Sequence, residues 1–399
     1  MKKLISCLTV CFLVSACTSQ IHRPIIAGTQ PADFSWRCQR DFPNGQPKEK
    51  VLVPQELDVR SCDVSTWDFS NYTATELADI LTFDSKTKFP PKDKLPKGFS
   101  PAKILKQNQN PGLNIHKLHK QGITGKGVSV AIMDQNLLLD HEQYANRLQY
   151  YWQDPFYQKY ASPASMHGAA VTSILAGKTV GVAPQADVYY WAEHLKIDDN
   201  GILDAGEAGE DLIRVLDYNF SLPEEKRIRA VSISRGFNKR DKGSEKFNAV
   251  LKEFADNNIA VFTTNNVFTL SRTHSLSSPD GDDYCRPAYW WGKEDLSYYA
   301  DIQNPLVPTD FRVTAAPNGP QDYVHYATGG LSWAVPYLAG LYALGAQVYP
   351  ALTKEIFMQA ARDTADTKEC TYQGEKFTAR YFVNPTALIN RLKELNNAK

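Results

Sequence analysis

The chain has 399 residues, a length that corresponds to one large domain or two ordinary ones. Lysine plus arginine and aspartate plus glutamate each total 44, so the formal net charge is zero. No global field therefore favours nucleic acid as a partner. A hydrophobic fraction of 43% without low-complexity tracts is typical of a globular protein with a folded core.

Residues 1–17 have the pattern of an export signal. Two lysines precede a short apolar run, Leu4 to Val14, which is too short to span a bilayer as a mature helix. Ser15-Ala16-Cys17 then resembles a bacterial lipobox, in which the cysteine is lipidated and becomes the N-terminus. An ordinary secretory signal with an incidental cysteine is the alternative. We predict a lipid anchor at Cys17, and Thr18 in place of aspartate favours the outer membrane or cell surface over the inner membrane.

Four cysteines remain beyond the signal and Cys17: Cys38, Cys62, Cys285 and Cys370. An even number in an exported chain suggests disulfides, and four cysteines allow three pairings. Proximity in sequence favours Cys38–Cys62, which leaves Cys285–Cys370. Zinc binding is the alternative, but no CxxC spacing supports it.

Three regions follow the signal. Residues 18–55 are rich in proline, glycine and polar residues and predict a tether, and residues 56–111 predict an N-terminal extension or a pro-segment. Residues 112–399 alternate between apolar strands and helices. The predicted strands are 128–133, 187–192, 229–234 and 259–264, and the predicted helices are 167–177, 206–218, 244–257, 332–347 and 353–363. Strands that are apolar on both faces predict a doubly wound α/β fold, with a mostly parallel sheet covered by helices on both sides.

Three polar residues stand at the tips of these elements. The strand from Val128 ends at Asp134, His167 opens a helix of small residues, and Ser332 lies between a glycine turn and an apolar helix. Aspartate, histidine and serine in this order are one known arrangement for serine catalysis. Singly, each residue could instead be a helix cap or a turn residue.

The blocks around these residues resemble the subtilisin-like serine proteases, the subtilases. Gly330-Leu331-Ser332-Trp333-Ala334-Val335-Pro336 is similar to the family's Gly-Thr-Ser-Met-Ala-x-Pro. The segment from Gly122 to Asp134 is similar to the aspartate block, and His167-Gly168, followed by Gly181-Val182-Ala183-Pro184, to the histidine block. Residues 259–266 are similar to the strand that ends in the family's oxyanion asparagine. The four blocks stand in the family's order between about residues 112 and 390.

This resemblance implies an endopeptidase that acts on proteins or peptides. Ser332 would be the nucleophile, His167 the base and Asp134 the residue that orients the base, with Asn266 in the oxyanion hole. Ser234-Arg235-Gly236 resembles the edge that pairs with substrate, where Arg235 replaces leucine and predicts a preference for acidic residues.

The resemblance requires no cofactor, although calcium is common in the family. Residues 196–207 have some EF-hand ligand spacing, but the first ligand position is a lysine, which favours a solvated loop. We therefore predict no metal site in this segment.

The blocks also depart from the family pattern. Asp134 is followed by Gln135-Asn136, Asn266 is preceded by Asn265, and Leu331 and Trp333 flank the serine in place of threonine and methionine. These departures leave a second function open, a catalytically silent surface protein that uses the same fold as a binding scaffold. A third reading, an α/β-hydrolase esterase, fails on chain order and lacks a Gly-x-Ser-x-Gly elbow.

Overall fold

The computed structural model describes residues 29–53, 55–194, 203–267, 276, 285 and 296–398. The predicted export signal with Cys17 lies outside the described residues, as does most of the calcium-like segment, 195–202. Along the part of the chain that is described, no helix is both long and apolar enough to cross a membrane.

The N-terminal extension folds into short elements: α1 (Trp36–Asp41), β1 (Leu57–Asp58), α2 (Ala74–Ile80), β2 (Leu81–Asp84) and α3 (Pro101–Gln107). Helix α2 begins at a capping box in which Thr73 and Glu76 satisfy each other's backbone N–H groups. A disulfide joins Cys38 on α1 to Cys62 just after β1. The predicted tether is therefore folded against the extension over residues 36–41.

A second group of elements contains Asp134 and His167: α4 (Ile115–Lys120), β3 (Ser129–Asp134), β4 (Leu148–Gln153), α5 (Pro155–Lys159), α6 (Met166–Ala176), β5 (Asp187–Ala192), α7 (Ala205–Ser221), β6 (Ile228–Ile233), α8 (Ser244–Asp256) and β7 (Ala260–Phe262). The five strands form one sheet in the order β4-β5-β3-β6-β7. Every neighbouring pair is parallel. The predicted doubly wound α/β fold is confirmed, and the four predicted strands correspond to β3, β5, β6 and β7.

The remaining elements are α9 (Tyr298–Asp301), β8 (Arg312–Ala315), β9 (Tyr323–Tyr326), α10 (Leu331–Val348), α11 (Lys354–Asp363), β10 (Asp366–Tyr372), β11 (Glu375–Phe382) and α12 (Pro385–Asn397). Helices α6 and α10 pack in the apolar core on one face of the sheet, and α7 and α8 in the core on the other. A second disulfide joins Cys285 to Cys370 on β10, so both bridges follow the predicted pairing.

A second sheet connects the extension to the rest of the chain. Its strand order is β1-β2-β9-β8, with β1 parallel to β2 and β2 antiparallel to β9. Because β9 leads directly into α10, the extension is packed against the segment that carries Ser332. Phe311 at the start of β8 lies in the apolar cluster formed by the extension, so the extension shares its core with the C-terminal half of the chain.

Candidate active site

Asp134 and His167 meet at the carboxyl edge of the parallel sheet. Asp134 is the last residue of β3, and His167 lies in the first turn of α6, whose N-cap, Ser165, accepts a hydrogen bond from the His167 backbone N–H. The imidazole Nδ1 donates to Oδ1 of Asp134 over 2.6 Å. A carboxylate can only accept, so this contact places a proton on Nδ1 and leaves Nε2 as the basic nitrogen.

The surroundings of His167 act on its pKa in opposite directions. Burial lowers the pKa, whereas the charge of Asp134 and the hydrogen bond to it raise the pKa, and the net shift is upward. The charge of Arg235 opposes this rise. Asp134 therefore stabilises the imidazolium that forms when His167 takes up a proton.

Ser332 lies beside His167 but bonds elsewhere. Its hydroxyl donates to the backbone carbonyl of Ser234 over 3.3 Å, and the Ser234 hydroxyl donates to the Ser332 carbonyl over 2.8 Å. Ser332 and His167 line the same cavity of about 230 Å³. The Asp134–His167 pair is thus formed, while the Ser332 hydroxyl is directed to the strand end at Ser234 rather than hydrogen-bonded to the imidazole.

Trp333 closes one side of this cavity. Its ring centroid lies 5.3 Å from that of His167, and it also packs against Tyr326 of β9. The side chain is 4% exposed. Trp333 therefore covers the imidazole on the α10 side.

A second cavity, of about 530 Å³, lies on the other side of His167. Asp134, Ser234 and Arg235 border it, so the predicted substrate edge does reach the pair. Burial lowers the pKa of the half-buried Arg235, whose charge nonetheless faces the site. Gly236 comes next and has no room for a side chain, because a Cβ there would lie 2.7 Å from the Thr264 hydroxyl oxygen.

Glu193 also borders this larger cavity, although it was not among the site residues predicted from the sequence. It directly follows β5, the neighbour of β3, and is 3% exposed. Neither of its carboxylate oxygens has a hydrogen-bond partner among the described residues. Burial, followed by the charges of Asp211 and Asp134, raises its pKa well above the ordinary value. Its position one residue past a buried strand was the signal that could have found it.

Glu56 of the extension was also missed. It lines the cavity that contains His167 and Ser332, where Thr82 donates to one of its carboxylate oxygens and Thr328 donates to the other over 2.8 Å. Burial raises its pKa. No local pattern marks Glu56, because its contact with Thr328 joins positions 272 residues apart.

Asn266 lies in a short 3-10 turn after β7 rather than in either cavity lined by His167. Its side-chain oxygen accepts from the Thr263 backbone N–H over 3.0 Å, and the Lys354 ammonium lies 3.4 Å away. Burial lowers the pKa of Lys354 to about 8. These contacts hold the oxygen of the Asn266 amide and leave the amide nitrogen as the group available for an oxyanion.

Within the residues that the structure describes, no group of three or more histidine, cysteine, aspartate or glutamate side chains could hold a metal ion. Asp134, His167 and Ser332 together have the chemistry of a carboxylate-oriented histidine base next to a serine hydroxyl.

A family model described as the subtilase family matches part of the chain. Residues 125–292 match the subtilases. The matched segment contains Asp134 and His167 and ends before Ser332. The fold is the subtilisin-like α/β fold, with a parallel sheet and helices around it.

Several solved structures are also similar to this chain. The prenylagaramide maturation protease PagA is 17% identical, with 70% of this chain and 98% of that chain covered at a TM-score of 0.48. The PatG macrocyclase domain is 14% identical, with 70% and 95% covered at a TM-score of 0.49. The patellamide maturation protease PatA is 18% identical, with 67% and 98% covered at a TM-score of 0.46. No curated protein matches the chain.

Proposed function

We propose that this protein is a serine endopeptidase in which Asp134, His167 and Ser332 form the catalytic triad. The observation that carries the proposal is the 2.6 Å hydrogen bond between Asp134 and His167 in the wall of a cavity that Ser332 also lines. A structural cap or turn residue would not need an oriented imidazole next to a serine at a helix N-terminus.

The reaction begins with a rotation of the Ser332 side chain. The hydroxyl leaves the Ser234 carbonyl, turns to Nε2 of His167 and attacks the substrate carbonyl as His167 takes its proton. His167 then delivers that proton to the leaving amine, and water hydrolyses the acyl-enzyme with the same base. Helix α10 begins at Leu331, so its positive end favours the negative charge of the tetrahedral intermediate.

The substrate is bound as an added strand along Ser234-Arg235-Gly236. The backbone N–H of Ser332 donates to the oxyanion, and the amide nitrogen of Asn266 donates as well once substrate binding brings it into reach. The position of Arg235 in the larger cavity supports a preference for acidic residues on this side of the scissile bond. A peptide library with no acidic preference at any subsite would remove that specificity from the proposal.

A fluorophosphonate probe tests the proposed activity directly. It should label the wild-type protein at Ser332 and leave Ser332→Ala unlabelled. Ser234→Ala is the matched control, because Ser234 is the hydrogen-bond partner of Ser332 but not the nucleophile, and its labelling should persist. Peptide mapping of the labelled residue would locate the adduct.

The second candidate function is a catalytically silent binding scaffold. The Ser332 hydroxyl favours it in one respect, since the hydroxyl is bonded to Ser234 rather than to His167. A well-folded wild-type protein that the probe does not label, and that cleaves no peptide of a diverse library, would support the scaffold and overturn the peptidase.

We also propose that the protein is exported and held to the membrane by lipid at Cys17. The proposal rests on the sequence of the first 17 residues. Cys17→Ser should release the protein from the membrane fraction, and the wild-type N-terminal peptide should carry the mass of a lipid-modified cysteine. Equal membrane retention of both forms would exclude the anchor.

A further inference from the structure

The N-terminal extension builds one wall of the cavity that contains the nucleophile. Glu56 and Asp58 at β1, and Thr82 on β2, form one wall, and His167 and Ser332 lie in the other. The matched subtilase segment begins only at residue 125, so this wall belongs to a part of the chain outside the match. The shape of this cavity therefore depends on a segment that the catalytic elements do not supply.

The positive charges near this wall are already paired. Arg60 donates to both carboxylate oxygens of Asp58, at 2.8 and 2.5 Å, and to the Tyr326 hydroxyl at 3.1 Å. Arg37 on α1 approaches Asp58 to 2.9 Å. Both guanidinium groups are thus held by Asp58, and the Arg60 side chain is only 5% exposed.

Glu56 differs from Asp58 because its two oxygens meet only hydroxyl groups, those of Thr82 and Thr328. Among the described residues it forms no salt bridge. A carboxylate can accept more hydrogen bonds than these two, and Glu56 keeps partial exposure toward the cavity. The upward shift of its pKa has burial as its largest cause, which a bound cation would offset.

We infer that Glu56 is the counter-ion for a lysine or arginine side chain of the substrate, bound in this cavity beside Ser332. The inference rests on the proposed peptidase function. About 230 Å³ is room for one long side chain. A lysine or arginine side chain suits this cavity because its ammonium or guanidinium group would donate the further hydrogen bonds that the Glu56 carboxylate can accept.

The positions of the two cavities indicate on which side of the scissile bond the basic side chain binds. Ser234 and Arg235 border the larger one, and Glu56 borders the smaller one, with His167 between them. If the acyl part of the substrate pairs with Ser234-Arg235-Gly236, the basic side chain lies on the leaving-group side. The extension must then remain attached in the active protein, because its removal would take Glu56, Thr82 and strands β1 and β2 with it.

Paired peptides test this specificity. They are identical except for lysine or norleucine at the first position after the scissile bond. The two side chains therefore differ in charge and by only one atom in length. The wild-type protein should show a kcat/KM about tenfold higher for the lysine peptide, a ratio that corresponds to about 1.4 kcal/mol. In Glu56→Gln the ratio of the two kcat/KM values should fall to near 1, mainly through a higher KM for the lysine peptide.

Glu49→Gln is the matched control, since Glu49 is an exposed glutamate of the predicted tether, a few residues before Glu56. Its lysine preference should equal that of the wild type. Should Glu56→Gln fail to fold, Glu56→Asp keeps the charge on a shorter side chain and should retain a reduced preference for lysine. A wild-type protein that cleaves both peptides equally well, or a Glu56→Gln variant that keeps the tenfold preference, would overturn the inference.

Binding to Ser332→Ala separates this inference from the catalytic proposal. The dissociation constants of the two peptides, measured without cleavage, should differ about tenfold, and the difference should disappear in Ser332→Ala with Glu56→Gln. Loss of fluorophosphonate labelling in the wild type with this binding difference intact would reject the peptidase but keep the cation site. Labelling without any lysine preference in binding or cleavage would reject the cation site and keep the peptidase.

Discussion

The carboxylate of Asp134 lies 2.6 Å from the Nδ1 of His167, although 33 positions separate the two residues in the chain. Strand β3 and helix α6 bring them together, because Asp134 ends the strand and His167 opens the helix. The contact fixes which imidazole nitrogen is basic. It also supports the imidazolium that any proton transfer from Ser332 would create.

Asp134→Asn should abolish most of the activity while preserving the fold. The amide has the same shape as the carboxylate but can orient the imidazole with the wrong nitrogen protonated, a change that costs about 10⁴-fold in kcat in a related serine-protease triad. Peptide hydrolysis and circular dichroism check the prediction. Asp140→Asn, at an exposed aspartate, is the control and should keep full activity. A loss smaller than tenfold in Asp134→Asn would show that another group orients the base.

Arg235→Gln should shift the acidic limb of the pH–activity profile to higher pH. The neutral imidazole is the active base, so the limb follows the pKa of His167, and the charge of Arg235 lowers that pKa. Its removal should move the limb to higher pH. The profile of kcat/KM measures the shift, and Arg240→Gln, at an exposed arginine further along the chain, should leave the limb in place. A shift to lower pH would contradict the assigned base.

Glu193→Gln should stabilise the protein, increasingly so as the pH rises. The buried acid has a folded-state pKa well above its ordinary value, so the folded chain retains a proton that the unfolded chain loses above about pH 4.3. That stability contribution is complete at low pH and declines as the pH rises toward the folded pKa. The variant should therefore gain roughly 1–3 kcal/mol in unfolding free energy at pH 8 and much less at pH 5. Urea unfolding at several pH values tests this, and a difference that does not depend on pH would contradict it.

Lys354→Met should remove a rise in stability at alkaline pH. The folded pKa of Lys354 is about 8, below its ordinary value of 10.5, so burial penalises the charged form. The wild-type protein should gain stability relative to the variant between pH 8 and 10.5, by about 3 kcal/mol, because the unfolded chain holds the extra proton over this range. Paired unfolding curves over this range give the difference. A constant difference would mean that Lys354 titrates normally.

Removal of the Cys38–Cys62 bridge should destabilise the extension. The two cysteines close a loop with a sequence separation of 24, and a loop of that size contributes about 3 kcal/mol in the chain-entropy treatment. The double variant Cys38→Ser with Cys62→Ser should lower the unfolding free energy by roughly that amount. Thermal unfolding of the two proteins under oxidising conditions measures it. Equal stability would show that the apolar cluster of the extension holds the segment without the bridge.

Much of the α/β unit could be read from the residues themselves. Runs such as Val128 to Met133 are apolar except for Ser129, which marks a strand covered on both faces, and the acid that follows this run marks the edge of the sheet. Strand β4 was not predicted, because it lies at the edge of the sheet and its burial is uneven. Local composition also gave no reason to pair β1 and β2 of the extension with β9.

The sequence by itself determined which residues could react: an aspartate after a buried strand, a histidine and a serine at helix starts, and cysteines whose spacing favours one pairing. Only the tertiary structure decided how they meet. It joined Asp134 to His167, directed the Ser332 hydroxyl to Ser234, left Asn266 outside the lining of both cavities, and set Glu56 and Glu193 in their walls. The physical reason is that strand and helix signals arise from neighbouring residues, whereas the walls of a cavity are built by segments that approach one another only when the whole core packs.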